Sequence, residues 1–156
     1  MKNIELANGK IAQVDDDDYA YLSAFKWSQA GGGYARTAVA GKSYYMHKVV
    51  MMCSSDDMVD HIDGNKLNNQ KSNLRKCTQL ENTRNRKLDK RNKSGYKGVT
   101  WYPRDEKWRA SISVSGKVKW LGLFSDPKEA AMAYDLAAVK LYGEFAKTNK
   151  SMGLLK

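Results

Sequence analysis

The sequence has few residues of the kinds that build disulfide frameworks, zinc knuckles or membrane spans. Its only two cysteines are Cys53 and Cys77, and neither lies in a CxxC pair. This argues against a structural zinc knuckle and fits a reducing compartment. No apolar run approaches the roughly 18 residues that a membrane span needs, and the N-terminus has no signal-peptide core. We therefore expect a cytoplasmic protein without membrane association.

Positive charge is abundant and unevenly spread. The 156 residues carry a formal net charge of +10. Residues 1–59 hold six basic and seven acidic residues, residues 60–93 hold ten and four, and residues 94–156 hold eleven and six. Because basic side chains placed on phosphates release condensed counterions, a polyanionic partner is favoured over a soluble basic protein without one. The size and the 42% hydrophobic content predict one ordinary domain or two small ones.

The first part of the chain alternates short apolar stretches with turn residues. Period-2 patterns predict a hairpin of residues 4–6 and 11–14 around a two-residue Asn8-Gly9 turn, and a second hairpin of residues 34–39 and 43–46 around residues 40–42. Residues 19–27 and 47–53 are predicted to be short helices. The four carboxylates at 15–18 form either a metal site or a solvated turn that caps the following helix, and the turn is favoured.

A basic stretch divides the chain. Residues 83–95 are almost free of apolar side chains, which predicts a linker that can lie along a DNA backbone, and we place the domain boundary here, with 87–94 as the linker proper. Beyond it, strands are predicted at 98–102, 107–114 and 117–124. A polar cap at Ser125-Asp126 followed by Pro127 predicts a helix start, and Gly143 predicts its end. The helix face is made of small residues and can lie close against a sheet.

The densest polar cluster lies between residues 59 and 82. It contains His61, one of only two histidines in the chain, directly after Asp60. Asp60 offers a hard oxygen ligand, His61 a titratable base, and Asn82 an amide oxygen acceptable to Mg²⁺. On a strand, Asp60 and His61 would point to opposite sides, so a bend or turn would have to bring both to one phosphate. Phosphodiester hydrolysis needs a base and a cation, yet from composition alone a structural hydrogen-bonded pair is the favoured interpretation.

The stretch from His47 to Asn82 resembles the HNH homing-endonuclease family of phages and bacteria. The order and spacing of the motifs agree with that family, with twelve residues from His61 to Asn73 and nine more to Asn82. The matching segments are Met46-His47-Lys48-Val49-Val50, Asp60-His61-Ile62-Asp63-Gly64-Asn65, Asn68-Asn69, Ser72-Asn73-Leu74-Arg75 and Glu81-Asn82. The resemblance implies a ββα-metal nuclease module at residues 47–86, in a bacterial or phage-infected host cell.

The resemblance also implies roles for four residues of that module. His61 would be the general base that deprotonates the attacking water. Asp60 and Asn82 would hold a single divalent metal, Mg²⁺ or Mn²⁺. Asn73 would hydrogen-bond across the hairpin and keep the His61 loop in shape. The helix that carries Asn82 would begin near Thr78, whose hydroxyl suits an N-cap.

Two further polar residues of the cluster keep open roles. His47 lies in a matching motif but receives no catalytic step, and a packing or phosphate-facing role is favoured over metal ligation. Asp63 could support the metal site or form the turn before Gly64. The turn is favoured, because Asp-Gly-Asn is a strong turn sequence.

Residues 94–149 resemble the plant ethylene-response-factor (ERF, Apetala-type) DNA-binding domain. The matching segments are Gly95-Tyr96-Lys97-Gly98-Val99, Lys107-Trp108-Arg109-Ala110, Trp120-Leu121-Gly122-Leu123-Phe124 and the helix from Glu129 to Ala138. The resemblance implies a three-stranded antiparallel sheet packed on one helix, with the sheet entering the major groove of duplex DNA. Residues 1–46 resemble the amino-terminal part of bacterial proteins that combine both modules, and we expect them to support the nuclease hairpin.

Strand alternation sorts the residues of this second module. Ala110, Ile112 and Val114 should face the helix, whereas Trp108 could serve the core or a DNA sugar edge. The expected DNA-binding residues are Lys97, Arg104, Arg109, Ser111, Ser113, Lys117 and Trp120, with Arg84, Arg86 and Lys87 in the basic stretch. The plant pattern has arginines and a glutamate where this chain has Thr100, Ser111 and Ser113, so weaker or different sequence specificity is expected.

Taken together, these features predict an α+β protein of five segments. These are a β-rich N-terminal support region (1–46), the ββα-metal nuclease module (47–86), a basic linker (87–94), the ERF-type domain (95–149) and a tail (150–156). We expect a metal-dependent, nicking, homing-type DNA endonuclease that acts as a monomer or as a dimer assembled on double-stranded DNA. The alternatives are a DNA-binding regulator with an inactive HNH fold and, from charge alone, an RNA-binding protein.

Overall fold

The computed structural model describes residues 1–86, 88–89 and 91–155. The chain divides into two compact units, Met1–Asn82 and Thr83–Lys156. All strand pairs within the four small sheets are antiparallel, and the helices are few and short apart from one. The predicted mixture of helices with small antiparallel sheets is therefore confirmed. The five-segment division stays a prediction.

The elements of the first unit follow one another closely. In chain order they are β1 (Lys2–Glu5), β2 (Ile11–Val14), α1 (Asp16–Leu22), β3 (Ser28–Gln29), β4 (Ala35–Val39), β5 (Lys42–Tyr45), α2 (Met46–Val50), β6 (Val59–His61), a 3-10 helix (Lys71–Asn73) and β7 (Leu74–Lys76), after which α3 (Gln79–Arg84) begins. Strand β1 pairs with β2, β4 pairs with both β3 and β5, and β6 pairs with β7.

Both predicted N-terminal hairpins are present, but both turns differ from the prediction. The β1–β2 connection is longer than the predicted two-residue turn, because Leu6 N donates to Lys10 O at 2.8 Å and leaves three residues in the loop. Gly9 there has φ +75°, the left-handed conformation that closes three-residue hairpin loops. The β4–β5 turn falls on Ala40 and Gly41, both with positive φ, so Lys42 is already part of β5.

The two short helices predicted before residue 54 have different bounds in the structure. Helix α1 begins at Asp16 and ends at Leu22, so Trp27 lies outside it. Trp27 is buried, and its indole Nε1 donates to Leu22 O at 2.8 Å. The expected cap is also wrong in detail. Asp15 occupies the N-cap position without a side-chain cap bond, and its carboxylate instead accepts from Lys71 N at 2.8 Å. Helix α2 ends at Val50.

One hydrophobic core unites the first unit. It includes residues from the N-terminal hairpin, from α1 and α2, and from the β6–β7 hairpin, and its buried members are Ile4, Leu6, Ala12, Val14, Leu22, Trp27, Ala35, Met46, Val50, Val59 and Leu74. Val59 and Leu74 belong to the two strands that flank the polar cluster. The N-terminal residues therefore anchor the hairpin on which the predicted chemistry lies.

The second unit is a three-stranded antiparallel sheet covered by one long helix. Its elements are β8 (Val99–Tyr102), β9 (Lys107–Val114), β10 (Lys117–Phe124), α4 (Pro127–Tyr142) and a 3-10 helix (Gly143–Phe145), and the strand order is β10-β9-β8. The predicted helix start is confirmed, since the Asp126 carboxylate accepts from Lys128 N at 2.7 Å. Gly143 follows the last helical residue, as predicted.

Close packing of the helix on the sheet depends on small residues. Ala110 and Ile112 of β9 are buried and Val114 packs partly buried beside them, as alternation predicted. Gly98 has φ +77°, and a Cβ atom there would lie 1.9 Å from the Tyr134 ring of α4. A residue with a side chain is excluded at this position, because both the backbone conformation and the ring contact require glycine.

Within the described residues, no helix is long and apolar enough to cross a membrane.

Candidate active site and nucleic-acid interface

The β6–β7 hairpin places Asp60 directly opposite Arg75. The Asp60 side chain is buried, with the residue 6% exposed. The Arg75 guanidinium donates from Nε at 3.1 Å and from Nη2 at 2.9 Å to the Asp60 Oδ2 atom. The two form a buried ion pair that the sequence did not predict, although opposite charges directly across an antiparallel pair are a known stabilising pattern.

The loop between these two strands is held in shape by Asn73. Its amide Nδ2 donates to Asp63 Oδ1 at 3.0 Å and to Asn68 O at 2.9 Å, and its Oδ1 accepts from Asp63 N at 3.0 Å. Asp63 also accepts from Asn65 N at 2.7 Å, and Gly64 has positive φ. Asn73 thus bridges both ends of the loop that follows His61, and Asp63 makes turn contacts there.

His61 ends β6 and is buried, at 4% exposure. Its Nε2 lies 3.4 Å from the Asn69 Oδ1 atom. Burial lowers the pKa of His61 below its ordinary value, and the Asn69 hydrogen bond and the Asp63 and Asp60 carboxylates oppose this in part. The imidazole is therefore neutral near pH 7 and retains the lone pair that a general base requires.

Two tyrosine rings lie beside the two histidines of the chain. Tyr34 lies with its ring centroid 5.9 Å from that of His61 and 5.0 Å from that of His47, and Tyr45 stacks on His47 at 5.7 Å. The His47 and His61 rings meet edge to face at 5.2 Å. Sequence reasoning missed Tyr34 and Tyr45, because they are 27 and 16 positions before His61 and no motif links them to it.

His47 is a second buried imidazole, 6% exposed, beside His61. Burial, followed by the neighbouring His61 and Lys48, lowers the pKa of His47 to about 4. Its Nδ1 atom is buried and has no hydrogen-bond partner among the described residues. His47 lines a cavity of about 350 Å³ together with Tyr34, Tyr45 and Asn82. The sequence favoured a packing or phosphate-facing role, and the contacts of His47 with Tyr34 and Tyr45 support the packing role.

Asn82 lies on α3, whose start is fixed by a capping box. Thr78 Oγ1 accepts from Glu81 N at 3.3 Å, and the Glu81 carboxylate accepts from Thr78 N at 2.8 Å, so the predicted N-cap is confirmed. The Asn82 amide Nδ2 lies 3.5 Å from Met58 Sδ. This places the Asn82 side chain beside the residue that precedes β6.

The donor set fits a hard cation that keeps most of its water ligands. Asp60 and Asn82 offer a carboxylate and an amide oxygen, the donor types that Mg²⁺ prefers. No cluster of three or more His, Cys, Asp or Glu residues that could hold a metal occurs in the described part of the chain. A two-residue protein contribution is typical of Mg²⁺ and is unlike the three or four ligands of a zinc site.

Cys77 lies one residue after β7 and is expected to be an unreactive thiol. Burial, followed by the Asp60 carboxylate, raises the pKa of Cys77 from 9.0 to about 11. Since the thiolate is the reactive form, its fraction at pH 8 is roughly 100-fold lower than for an unshifted thiol. Alkylation by iodoacetamide, followed by mass spectrometry, should be about 100-fold slower at Cys77 in the folded protein than in urea, and should accelerate as the pH rises towards 11.

The Cys77→Ser variant is the control for that measurement, because it leaves Cys53 as the one remaining thiol. Equal alkylation rates of Cys77 in the folded and urea-unfolded protein would contradict the burial of its sulfur.

The outer face of the β8–β10 sheet presents aromatic and basic side chains together. Trp120 is 53% exposed and meets the Tyr102 ring edge to face at 5.8 Å. The Arg109 guanidinium lies 5.3 Å from the Trp120 ring centroid, and its Nε donates to Thr100 Oγ1 at 3.3 Å. Arg104 and Lys117 are exposed at the ends of the strands, and Ser113 is exposed and Ser111 half-buried on β9. Six of the seven DNA-binding residues predicted in this module, all except Lys97, therefore lie on or beside one exposed sheet.

Trp108 belongs to the core side of this sheet. It packs against the cluster formed by Val99, Ala110, Ala130 and Ala131, and meets Trp101 edge to face at 5.1 Å. The packing interpretation is therefore the one that its position supports.

The side chains of Lys97 and Arg84 do not lie on the outer face of the sheet. The Lys97 ammonium donates to the backbone carbonyls of Arg84 and Arg86, both at 2.8 Å, and burial lowers its pKa to about 8. The Arg84 guanidinium lies 4.6 Å from the Tyr142 ring centroid. Through these contacts, both cations hold the start of the basic stretch against the rest of the second unit. Arg86 is exposed, and Lys87 lies outside the described residues.

Comparison with known proteins identifies both parts of the chain. A family model described as HNH endonuclease matches residues 56–84, and a model described as AP2 domain matches residues 94–144. A protein of Acanthamoeba polyphaga mimivirus named as an uncharacterized HNH endonuclease is 33% identical over 148 residues, which cover 91% of this chain and 76% of that protein. The chain belongs to the HNH endonuclease family.

Two other relatives match smaller parts of this HNH family member. Protein 3.8 of Escherichia phage T7 is 46% identical over 59 residues, 38% of this chain and 49% of that protein. An AP2-like ethylene-responsive transcription factor of Arabidopsis thaliana is 45% identical over 60 residues, 38% of this chain and 12% of the plant protein. The HNH match contains Asp60, His61, Asn73 and Asn82, and the AP2 match contains the whole β8–β10 sheet. Both domain types indicate DNA binding.

Proposed function

We propose that the chain is a metal-dependent, homing-type endonuclease that nicks duplex DNA. Residues 47–86 form the cutting module and residues 95–149 the DNA-reading domain. The observation that carries the proposal is the arrangement of one hairpin and the helix after it. Asp60 and His61 lie on β6, Asn73 braces the loop that follows, and Asn82 lies on α3. The order strand, strand, helix supports the proposal of a ββα-metal module.

His61 acts as the general base in this proposal. A neutral imidazole can take a proton from the attacking water, and the lowered pKa of His61 keeps the ring neutral at physiological pH. The Tyr34 and His47 rings cover part of the His61 ring, so the reacting water must approach the imidazole from another side.

Asp60 and Asn82 hold the divalent metal in this proposal, Mg²⁺ or Mn²⁺. When bound, such a cation neutralises charge on the scissile phosphate and on the leaving oxygen. Arg75 fixes the Asp60 carboxylate through two N–H groups on one oxygen. Asn73 keeps the loop between His61 and β7 in one conformation, so that base and ligand keep a constant relation.

The exposed sheet of the second unit holds the duplex. Arg109 and Trp120 stack together with Tyr102 and present a rigid basic and aromatic surface, and Arg104 and Lys117 add charge beside it. Few side chains on this face can make two hydrogen bonds to one base, because Thr100, Ser111 and Ser113 are short. Contacts to phosphate and sugar therefore outweigh base reading, and specificity is lower than in the plant domains.

A nick is the expected product, because each chain carries one set of Asp60, His61, Asn73 and Asn82. A double-strand cut would need two chains on one target, as a dimer assembled on the DNA.

The decisive experiment is cleavage of supercoiled plasmid DNA by the native chain. Open-circular plasmid should accumulate before linear plasmid in the presence of Mg²⁺ or Mn²⁺, and excess chelator should stop the reaction. The plasmids should carry a pooled library of random inserts, so that a rare target is represented. Sequencing of the nicked fraction then gives the site.

Binding measurements separate this function from the alternatives. A library that stays supercoiled with every metal, together with equal DNA affinity with and without metal, would identify a DNA-binding regulator with an inactive HNH fold. A gel-shift competition in which structured RNA displaces duplex DNA would instead indicate an RNA-binding protein. Strong salt dependence of the DNA affinity is expected in either of the DNA-binding cases.

A further inference from the structure

The loop that follows the base histidine is tied to the N-terminal hairpin by backbone hydrogen bonds. Gln13 N of β2 donates to Leu67 O at 2.7 Å, and Asn69 N donates to Gln13 O at 2.7 Å. These two bonds form an isolated parallel bridge between β2 and the loop. Because β2 belongs to the hydrophobic core, the bridge holds residues 67–69 at a fixed position relative to that core.

Asn69 is the side chain that this bridge places against His61. The residue is fully buried, at 0% exposure. Its amide Nδ2 donates to Leu67 O at 3.2 Å, and its Oδ1 lies 3.4 Å from His61 Nε2. The bond to Leu67 O sets which end of the amide is which, because a carbonyl oxygen can only accept. The oxygen of the amide therefore faces the imidazole.

The direction of the amide determines where the imidazole carries its proton. Since Asn69 Oδ1 has no proton to give, its hydrogen bond to His61 requires a proton on Nε2. The lone pair of the neutral ring is then on Nδ1. The alternative tautomer, with the proton on Nδ1, would leave two lone pairs facing each other across a buried contact, which is destabilising.

We propose that Asn69 is a positioning residue that holds His61 as the Nε2–H tautomer, so that Nδ1 is the nitrogen that accepts the proton of the attacking water. This inference rests on the proposed function for its catalytic consequence, but the tautomer itself is a property of the folded chain. The same inference assigns the N-terminal region a structural role in orienting His61. The bridge from β2 fixes the Leu67 carbonyl, the carbonyl orients the Asn69 amide, and the amide orients the base.

The test is a direct measurement of the His61 tautomer by long-range proton–nitrogen correlation NMR on protein labelled with ¹⁵N-histidine. The chain has only two histidines, and the His47→Phe variant assigns the remaining signals to His61. In the native protein, His61 should show a protonated Nε2 and an unprotonated Nδ1. In Asn69→Leu, which has a similar size but no amide, the Nδ1–H form should become detectable, whereas Asn69→Asp, which keeps an acceptor oxygen, should keep the proton on Nε2.

Gln70→Leu is the matched control, because Gln70 is the next residue of the same loop and its side chain contacts Asp15 rather than His61. Its His61 spectrum should equal that of the native protein. In the plasmid assay, Asn69→Leu should lower kcat on the order of 10-fold to 100-fold with unchanged DNA affinity, and Asn69→Asp should restore part of the loss.

Each outcome decides the inference separately from the proposed function. An Nδ1–H tautomer in the native protein, or an unchanged tautomer in a folded Asn69→Leu, overturns the role of Asn69. If Asn69→Leu does not fold, the native spectrum and Asn69→Asp still decide it. A native protein with the expected tautomer but without any nicking leaves the Asn69 contact established and refutes only the nuclease.

Discussion

His61→Ala is expected to lower the rate of strand nicking by about 100-fold to 10,000-fold, the range that a general base contributes. The imidazole is the only neutral titratable base on β6, and its neighbour Asp60 is engaged by Arg75. Alanine removes the proton acceptor and leaves Asp60, Asn73 and Asn82 in place. DNA affinity should therefore stay within about twofold of the native value, because the exposed sheet of the second unit is untouched.

The rate should be measured with saturating enzyme over one turnover, so that binding and product release do not obscure the chemical step. Free imidazole in the buffer is the control, since a small base that enters the space left by the His61→Ala change should restore part of the rate. A variant that nicks as fast as the native chain would remove His61 from the mechanism, and rescue without any selectivity for imidazole over other buffers would argue against a role as base.

Arg75→Met is expected to lower the free energy of unfolding of the first unit by about 3 to 5 kcal/mol, the typical loss when one partner of a buried ion pair is removed. The Arg75 guanidinium and the Asp60 carboxylate are 13% and 7% exposed, so water can replace the lost N–H groups only poorly. The loss should appear in urea unfolding as a lower midpoint with an unchanged slope.

The double variant Asp60→Leu/Arg75→Met is the control for that loss. Replacing both members of a buried ion pair by apolar residues of similar volume is often neutral or stabilising, so the double variant should recover most of the stability that the single variant loses. It should not nick DNA, because the Asp60 oxygen is gone. A single variant as stable as the native protein would show that the pair contributes nothing, and a double variant less stable than the single one would contradict the pairing.

The elements of the second unit could be predicted nearly residue by residue. All three strands were predicted within one residue of their observed bounds, and the Asp126 cap and Gly143 mark the helix ends. Such signals are local, because a cap or a period-2 pattern depends on neighbours within a few residues. In the first unit, the longer turn at Gly9 and the early end of α1 were missed. There Trp27 turns back to bond Leu22 O, a contact made by tertiary packing.

The candidate DNA-binding residues also divide into those whose position follows from local sequence and those whose position depends on tertiary contacts. Alternation along β9 predicted which side chains face outward, and Arg109, Ser111 and Ser113 follow it. The positions of the Lys97 and Arg84 side chains could not be predicted in this way. Nothing in their local sequence shows that Lys97 reaches backbone carbonyl groups or that Arg84 reaches the Tyr142 ring. A basic residue is recognised by composition, but its partner is chosen by the fold.

From the sequence alone, the positive charge after residue 59 indicated a polyanionic partner, and the order and spacing of Asp60, His61, Asn73 and Asn82 carried the resemblance to the HNH family. These features depend only on the composition of the chain and on the spacing of residues along the sequence. The ion pair of Asp60 with Arg75, the aromatic wall of Tyr34 and Tyr45 and the contact of Asn69 with His61 were decided by the folded chain alone. Each joins residues that are brought together by strand register or by a shared core, and burial there makes every unmatched polar group costly.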